Sequence, residues 1–156
     1  MKAPVSRSLV IDASVVRSAG RTQHPVSSAC REVLETVLYI CHRAVLTDII
    51  DEEWRRDMSK YSRKWRRFME GRKKLRRDVE PNNVRIDMKK LSHRECEAVK
   101  RDLFLIEAAL SADGIIVTCD ETFRRAIAKI AQSSNELQSI TWKNPVTDGS
   151  KWLERL

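Results

Sequence analysis

The sequence has few of the residues that interrupt helices or keep a chain disordered. Only 4 glycines and 4 prolines occur among 156 residues, whereas 42% of the residues are hydrophobic, which indicates a compact, helix-rich fold. No apolar run approaches the roughly 18 residues of a membrane span, and the N-terminal residues lack the apolar core of a signal peptide. We therefore expect a cytoplasmic protein without a membrane partner.

Paired cysteines and histidines of the kind found in zinc sites and disulfide frameworks are also missing. The 4 cysteines contain no C-x-x-C pair, and the 3 histidines are isolated from one another. We expect the cysteines to behave as small buried apolar residues, and we expect no histidine in catalysis or metal ligation.

Positive charge is abundant and concentrated. The chain carries a formal net charge of +8, and residues 55–77 alone hold twelve basic and two acidic side chains. The rest of the chain is therefore nearly neutral, and the segment predicts an anionic partner, most often a nucleic acid. A basic face that only meets solvent is the alternative. The candidate phosphate-binding residues are Arg55, Arg56, Arg63, Lys64, Arg66, Arg67, Arg72, Lys73 and Lys74.

Hydrophobic patterning predicts strands that alternate with helices. Apolar, β-branched runs predict buried strands at 8–11, 43–46, 115–118 and 138–142. Apolar periodicity and capping residues predict helices from Ser27 or Ser28 to about Tyr39, over 48–70, over 72–77, from the capping box of Ser92 and Glu95 through Asp102, and over 122–132.

This alternation predicts an α/β fold with three layers, in which helices cover both faces of a mostly parallel sheet of about four strands. We expect one domain over residues 1–156, with its core at about 8–143 and an irregular tail at 144–156.

An aromatic stripe marks the predicted helix over 48–70. Trp54, Met58, Tyr61, Trp65 and Phe68 recur at spacings of three and four residues, which places them on one helix face. We expect these side chains to pack in the core or in a homodimer interface. Aromatic residues interleaved with basic ones are also typical of base stacking, which is the less favoured interpretation.

Four acidic positions point to one site. Asp12 and Asp120 each follow a predicted strand, at the sheet edge where ligands collect in open α/β folds. Asp102 lies on an apolar helix face, and Glu52 or Glu53 lies near the start of the helix that carries the aromatic stripe. Converging carboxylates suit Mg²⁺ or Mn²⁺, which prefer oxygen ligands. Taken singly, each acid could instead be a helix cap or a surface charge.

The motifs LVIDAS, IIDEEW, D-x-x-x-I-x-A-A and IIVTCDETF occur in an order that resembles the PIN-domain nucleases, which include VapC-type toxins. The resemblance implies a PIN-like α/β/α fold and cleavage of RNA with Mg²⁺ or Mn²⁺. It also implies that Asp12, Glu53, Asp102 and Asp120 are the catalytic, metal-binding acids, with Ser14 and Thr118 in supporting positions. The glutamate position matches either Glu52 or Glu53.

The expected function is thus a metal-dependent endoribonuclease that leaves a 5′-phosphate and a 3′-hydroxyl. In this expectation Asp12, Asp102 and Asp120 hold the first metal ion, and Glu53 completes the site or acts through a water molecule. The resemblance also implies a possible toxin role, with a cognate antitoxin as partner. The alternatives are a non-catalytic nucleic-acid-binding protein that uses residues 55–77, and a scaffold that assembles through its aromatic stripe.

Overall fold

The computed structural model describes residues 5–156 and shows a five-stranded, all-parallel sheet flanked by helices. The strand order is β3-β2-β1-β4-β5. The strands are β1 (Ser8–Ile11), β2 (Arg43–Val45), β3 (Leu75–Arg76), β4 (Ile115–Val117) and β5 (Thr141–Lys143). The predicted three-layer α/β/α fold is confirmed, although the sheet has five strands where about four were expected.

Eight α-helices and one 3₁₀ helix account for most of the remaining described residues. They are α1 (Ala13–Ser18), α2 (Pro25–Tyr39), α3 (Asp48–Asp57), α4 (Lys60–Gly71), α5 (His93–Leu110), α6 (Glu121–Ala131), α7 (Asn135–Gln138), α8 (Pro145–Asp148) and the 3₁₀ helix Lys151–Arg155. Helix α5 packs against β1, β4 and α6, whereas α2 packs against β2, α4 and α8. No helix within residues 5–156 combines the length and apolarity needed to cross a membrane.

The core is built on the two central strands. Leu9, Val10 and Ile11 of β1 are fully buried, as are Ile116 and Val117 of β4. Strands buried on both faces read as continuous apolar runs, which is why sequence patterning located them to within a residue.

The helix predicted over 48–70 is two helices. The chain leaves helical geometry at Met58, and the Ser59 hydroxyl accepts a hydrogen bond from the Ser62 amide at 3.1 Å, which caps α4. The apolar spacing continues across this break, so periodicity alone could not detect it. Serine is a favoured N-cap residue, and Ser59 was the available signal.

The aromatic stripe divides between core and surface. Trp54, Met58 and Trp65 are buried, and the two indole rings lie 5.6 Å apart between centroids. Tyr61 is half-buried, whereas Phe68 is 48% exposed. Core packing is confirmed for the three buried members of the stripe.

Several element boundaries also differ from the predictions. Residues 13–18 form α1, a helix that was not predicted, and α2 begins at Pro25, capped by His24 instead of Ser27 or Ser28. The predicted helix over 72–77 is wrong, because it contains strand β3. Residues 135–138 are helical, so the last strand begins only at Thr141.

The C-terminal tail is structured rather than irregular. Leu153 is buried, and its carbonyl accepts a hydrogen bond from Nε2 of the buried His42 at 2.6 Å. Nδ1 of the same ring accepts from the Arg7 amide at 3.0 Å, so the imidazole ties the C-terminal segment to the N-terminal one. Such long-range contacts leave no local sequence pattern.

The register between β1 and β4 determines where two of the predicted site residues lie. Strands β1 and β4 are parallel neighbours in which Ile11 is paired with Val117, and the Asp12 amide donates to the Val117 carbonyl at 2.9 Å. Asp12 and Thr118 therefore leave the sheet side by side at its carboxyl edge, where ligands collect in open α/β folds.

Candidate metal centre

A cleft of about 450 Å³ opens at the carboxyl edge of the sheet, between α1, α3 and α5. Its walls carry both signs of charge. Acidic side chains dominate, and arginines stand beside them. The charged residues that line it are Asp12, Arg17, Glu53, Arg56, Asp57, Arg101, Asp102 and Asp120.

Asp12 is held by two hydroxyl groups. Its side chain is 6% exposed and occupies the N-cap position of α1, yet it makes no capping hydrogen bond. Instead, its Oδ2 accepts from the Ser14 hydroxyl at 2.7 Å and from the Thr118 hydroxyl at 2.8 Å. No hydrogen bond reaches Oδ1 from residues 5–156, so that oxygen is left for another ligand.

Backbone amides fix the direction of these two hydroxyls. Ser14 Oγ accepts from the Cys119 amide at 3.1 Å, and Thr118 Oγ1 accepts from the Asp120 amide at 3.0 Å. Each hydroxyl is thereby left to donate its own proton to Asp12. The supporting roles that the resemblance implied for Ser14 and Thr118 thus have a geometric counterpart.

Asp102 presents a buried carboxylate from the middle of α5. It shares an apolar face with Val99, Ile106 and Ala109, and it is itself only 5% exposed. Burial raises its pKa, hydrogen bonds from Arg101 oppose the rise, the nearby charge of Asp12 reinforces it, and the net pKa is about 6. A cation placed between these carboxylates would relieve the same repulsion.

Glu53 reaches the cleft because its neighbour in sequence anchors α3. The Trp54 indole Nε1 donates to the Ile11 carbonyl at 3.0 Å, directly before Asp12. Burial raises the pKa of Glu53, an effect that Arg56 opposes and Asp12 reinforces. Glu52 is exposed and does not line the cleft, so the structure distinguishes the two glutamates that the sequence left open.

Asp12, Glu53 and Asp102 form an acidic triad. One carboxylate oxygen from each lies within 4.8 Å of the others. Three converging oxygens, two of them on buried side chains, fit the preference of a hard divalent cation. Such a buried acidic group also calls for a compensating charge. The triad could therefore hold a metal ion.

Asp120 lines the cleft but is occupied by other partners. Its Oδ1 accepts from the Phe123 amide at 3.1 Å and caps α6, and its Oδ2 accepts from Arg101 at 2.9 Å. The same guanidinium donates to Oδ2 of Asp102 at 3.1 Å. The closely spaced triad thus contains Glu53 where the expectation placed Asp120, and Arg101 pairs with both Asp102 and Asp120. A role for Asp120 in holding the first metal ion stays a prediction.

Three charged cleft residues were not among the predicted site residues: Arg17, Asp57 and Arg101. The link of Arg101 to Asp120 spans 19 positions and leaves no local pattern. Arg17 was overlooked because no helix was predicted between Asp12 and Ser27. An aspartate at the N-cap position, Asp12, was the signal that would have placed Arg17 on a helix beside the site.

Several of the predicted nucleic-acid contacts are engaged within the protein. The Lys74 ammonium donates to the carbonyls of Val37, Leu38 and Ile40 and caps the end of α2. Arg72 donates to the Leu38 carbonyl at 3.1 Å. These two cations hold the chain together, which sequence composition could not reveal.

Acidic neighbours pair with other members of the basic segment. Arg55 and Arg66 both contact Asp51, at 3.0 and 2.6 Å, and Arg56 lies 3.4 Å from Glu53 at the cleft. The remaining candidates Arg63, Lys64, Arg67 and Lys73 are exposed.

The fold and the site together define an α/β/α protein with a candidate metal centre at the carboxyl edge of its sheet. No protein-family model matches the chain, and no curated protein is similar to it in sequence.

Proposed function

We propose that this chain is a metal-dependent endoribonuclease whose centre is the acidic triad of Asp12, Glu53 and Asp102. The observation that carries the proposal is the convergence of the three carboxylates within 4.8 Å, at the carboxyl edge of a parallel sheet and inside an open cleft. Arginines at the cleft supply a counterpart for phosphate oxygens.

A bound Mg²⁺ or Mn²⁺ would supply Lewis-acid activation of water and neutralise charge on the phosphoryl group. The protein's own residues prepare that site. Ser14 and Thr118 orient Asp12 through fixed hydrogen bonds, and hydrogen bonds from neighbouring side chains hold metal-binding carboxylates in position in this way. Asp102 brings negative charge that burial has made costly, so cation binding is favoured there.

Arg101 would contribute in a different way. Its guanidinium contacts Asp102 and Asp120 at the cleft while its side chain stays 60% exposed. A phosphate entering the cleft would meet this cation, as well as Arg17 and Arg56. These three arginines would orient the scissile phosphate and stabilise its developing charge.

The resemblance to PIN-domain nucleases supports RNA as the substrate, because the positions of Asp12, Glu53, Asp102 and Asp120 follow that family's motif order. The basic composition supports a nucleic acid of either kind. The cognate antitoxin and the homodimer that the sequence suggested stay predictions.

The test is cleavage of a labelled single-stranded RNA with and without Mn²⁺. We expect wild type to cleave only with the ion, Asp102→Asn and Glu53→Gln to lose cleavage, and Glu52→Gln to retain it. Glu52 is the matched control because it is the exposed neighbour of Glu53 on the same helix.

The opposite results are informative. Cleavage that survives Asp102→Asn, or that disappears equally in both glutamate variants, would contradict the triad. RNA binding without any cleavage by wild type would favour the non-catalytic nucleic-acid-binding protein instead.

A further inference from the structure

Two adjoining hollows form a groove along the α2–α4 side of the molecule. The larger hollow, of about 470 Å³, is lined in part by Ala19, which follows the cleft residue Ser18 in the chain. The smaller hollow, of about 160 Å³, shares Arg21, Tyr61 and Lys64 with the larger one. One end of the groove is therefore lined by the residue that follows the cleft in the chain.

The middle of this groove is purely cationic. Four basic side chains line the larger hollow, and no acidic side chain lines it: Arg21, Lys60, Lys64 and Arg67. Within residues 5–156, none of the four forms an ion pair, whereas Arg55, Arg56 and Arg66 do. Unpaired cations repel one another and need an anionic partner more than the paired ones do.

Exposed aromatic rings stand at the far end. Tyr39 is 72% exposed and Phe68 is 48% exposed, although Leu38 beside Tyr39 on α2 and Trp65 and Met69 beside Phe68 on α4 are buried. The Lys64 ammonium lies 6.0 Å from the centroid of the Phe68 ring, and the Arg72 guanidinium lies 5.3 Å from that of Tyr39. Rings beside cations, next to a basic groove, are the combination that binds single-stranded nucleic acid by stacking and phosphate contacts.

We propose that this groove binds the single strand of RNA that extends from the cleft, with phosphates on Arg21, Lys60, Lys64 and Arg67 and bases stacked on Tyr39 and Phe68. The proposal deepens the proposed function, since it rests on a nucleic-acid substrate in the cleft. Beyond the proposed function, it specifies the path of the RNA strand and a stacking role for the rings of Tyr39 and Phe68.

Charge favours RNA over a second copy of the chain. A two-fold symmetric interface uses the same patch of both copies. Burying this groove in such an interface would bring two sets of four unpaired cations together, which repulsion disfavours. A polyanion removes the same repulsion.

The test measures binding of a fluorescently labelled single-stranded 12-mer RNA by anisotropy in EDTA, so that metal-dependent cleavage does not interfere. We expect Tyr39→Ala and Phe68→Ala each to weaken binding by roughly five-fold or more, the range of losses seen when a stacking ring is removed. Tyr39→Phe keeps the ring and should bind as wild type does.

Salt dependence tests the phosphate contacts. Replacing Arg21 and Lys64 with glutamine should reduce the slope of log affinity against log salt by roughly 0.7 for each lost phosphate contact. Arg125→Gln is the control, because Arg125 is exposed on α6 and lines none of the three depressions. It should leave the slope unchanged.

Three results would overturn the proposal. Wild type could fail to bind the RNA, or Tyr39→Ala combined with Phe68→Ala could bind as tightly as wild type. Sedimentation could instead show that the double variant converts a dimer to a monomer while RNA affinity is unchanged, which would assign the groove to a protein interface. Ring-dependent binding without Mn²⁺-dependent cleavage would uphold the groove while contradicting the nuclease.

Discussion

The substitution Asp102→Asn should stabilise the metal-free protein at pH 8. The ionised carboxylate is 5% exposed, and its pKa is raised from 3.8 to about 6 in the folded state. At 1.36 kcal/mol per pKa unit, the charged form therefore costs the folded state about 3 kcal/mol. Asparagine removes that charge while it preserves the shape of the side chain.

The sign of the effect follows from the raised pKa. Because the folded protein binds this proton more tightly than the unfolded chain, Asp102 favours folding below about pH 4, and this contribution is lost as the pH rises through 6. The increase in the free energy of unfolding from Asp102→Asn should accordingly be large at pH 8 and nearly absent at pH 4.

Thermal unfolding in EDTA measures this difference. For a chain of this size, each kcal/mol shifts Tm by roughly 2–4 °C, so the variant should melt roughly 6–12 °C above wild type at pH 8. The control is Asp120→Asn, since Asp120 is more exposed and asparagine also caps helices well. We expect its Tm to stay within a few degrees of wild type.

Adding Mn²⁺ should reverse the order of stability. An ion that binds only the folded state at a thousand times its Kd stabilises by about 4.1 kcal/mol, which exceeds the advantage of the variant, and only wild type should gain this amount. If Asp102→Asn melts below wild type in EDTA, or if Mn²⁺ raises its Tm as much as that of wild type, then Asp102 is not a destabilising carboxylate that binds the metal ion.

Three other changes test the roles of single side chains. Glu53→Gln should weaken Mn²⁺ binding, measured by calorimetry, by more than roughly tenfold, which is the loss seen when a residue that only supports a metal ligand is replaced. Glu52→Gln should leave Mn²⁺ binding unchanged, and equal losses of affinity in the two variants would contradict the assignment of Glu53. Arg101→Gln should strengthen Mn²⁺ binding at pH 8 because a cation leaves the cleft, and weaker binding would show that the guanidinium organises the site instead. Lys74→Met should lower the free energy of unfolding by about 1–3 kcal/mol, since three carbonyls at the end of α2 lose a charged donor, and should leave RNA affinity unchanged. A loss of RNA affinity with an unchanged free energy of unfolding would show that Lys74 contacts RNA instead of stabilising the fold.

The sheet was predictable from the sequence because its central strands are buried on both faces. Residues 8–11 and 115–118 stand out as short apolar, β-branched runs, and the structure places strands there. The short edge strand β3 was not predictable, since its two residues, Leu75 and Arg76, lie within a basic run that has no alternation.

The acidic residues of the site were also predictable as a group. Parallel strands end at one edge, so Asp12 and Asp120 had to lie near each other, and an aspartate on an apolar helix face had to point inward. Their separate roles were not predictable, because these depend on contacts distant in sequence. The ion pair of Asp120 with Arg101, for example, joins residues 19 positions apart.

The roles of the individual cations in residues 55–77 could not be predicted from the sequence. Composition predicted an anionic partner, but it treated twelve cations alike. The structure separates Lys74 and Arg72, which bind carbonyls of α2, from Lys64 and Arg67, which form no ion pair within residues 5–156. Which cations are free depends on where the helices place their acidic neighbours, and no local pattern records that.

A crystal soaked in Mn²⁺ and measured at the manganese absorption edge tests directly whether the acidic triad binds a metal ion. We expect an anomalous peak between the carboxylates of Asp12, Glu53 and Asp102, and the loss of that peak in Asp102→Asn. A peak bound elsewhere in the cleft, or no peak in wild-type crystals at saturating Mn²⁺, would contradict this expectation.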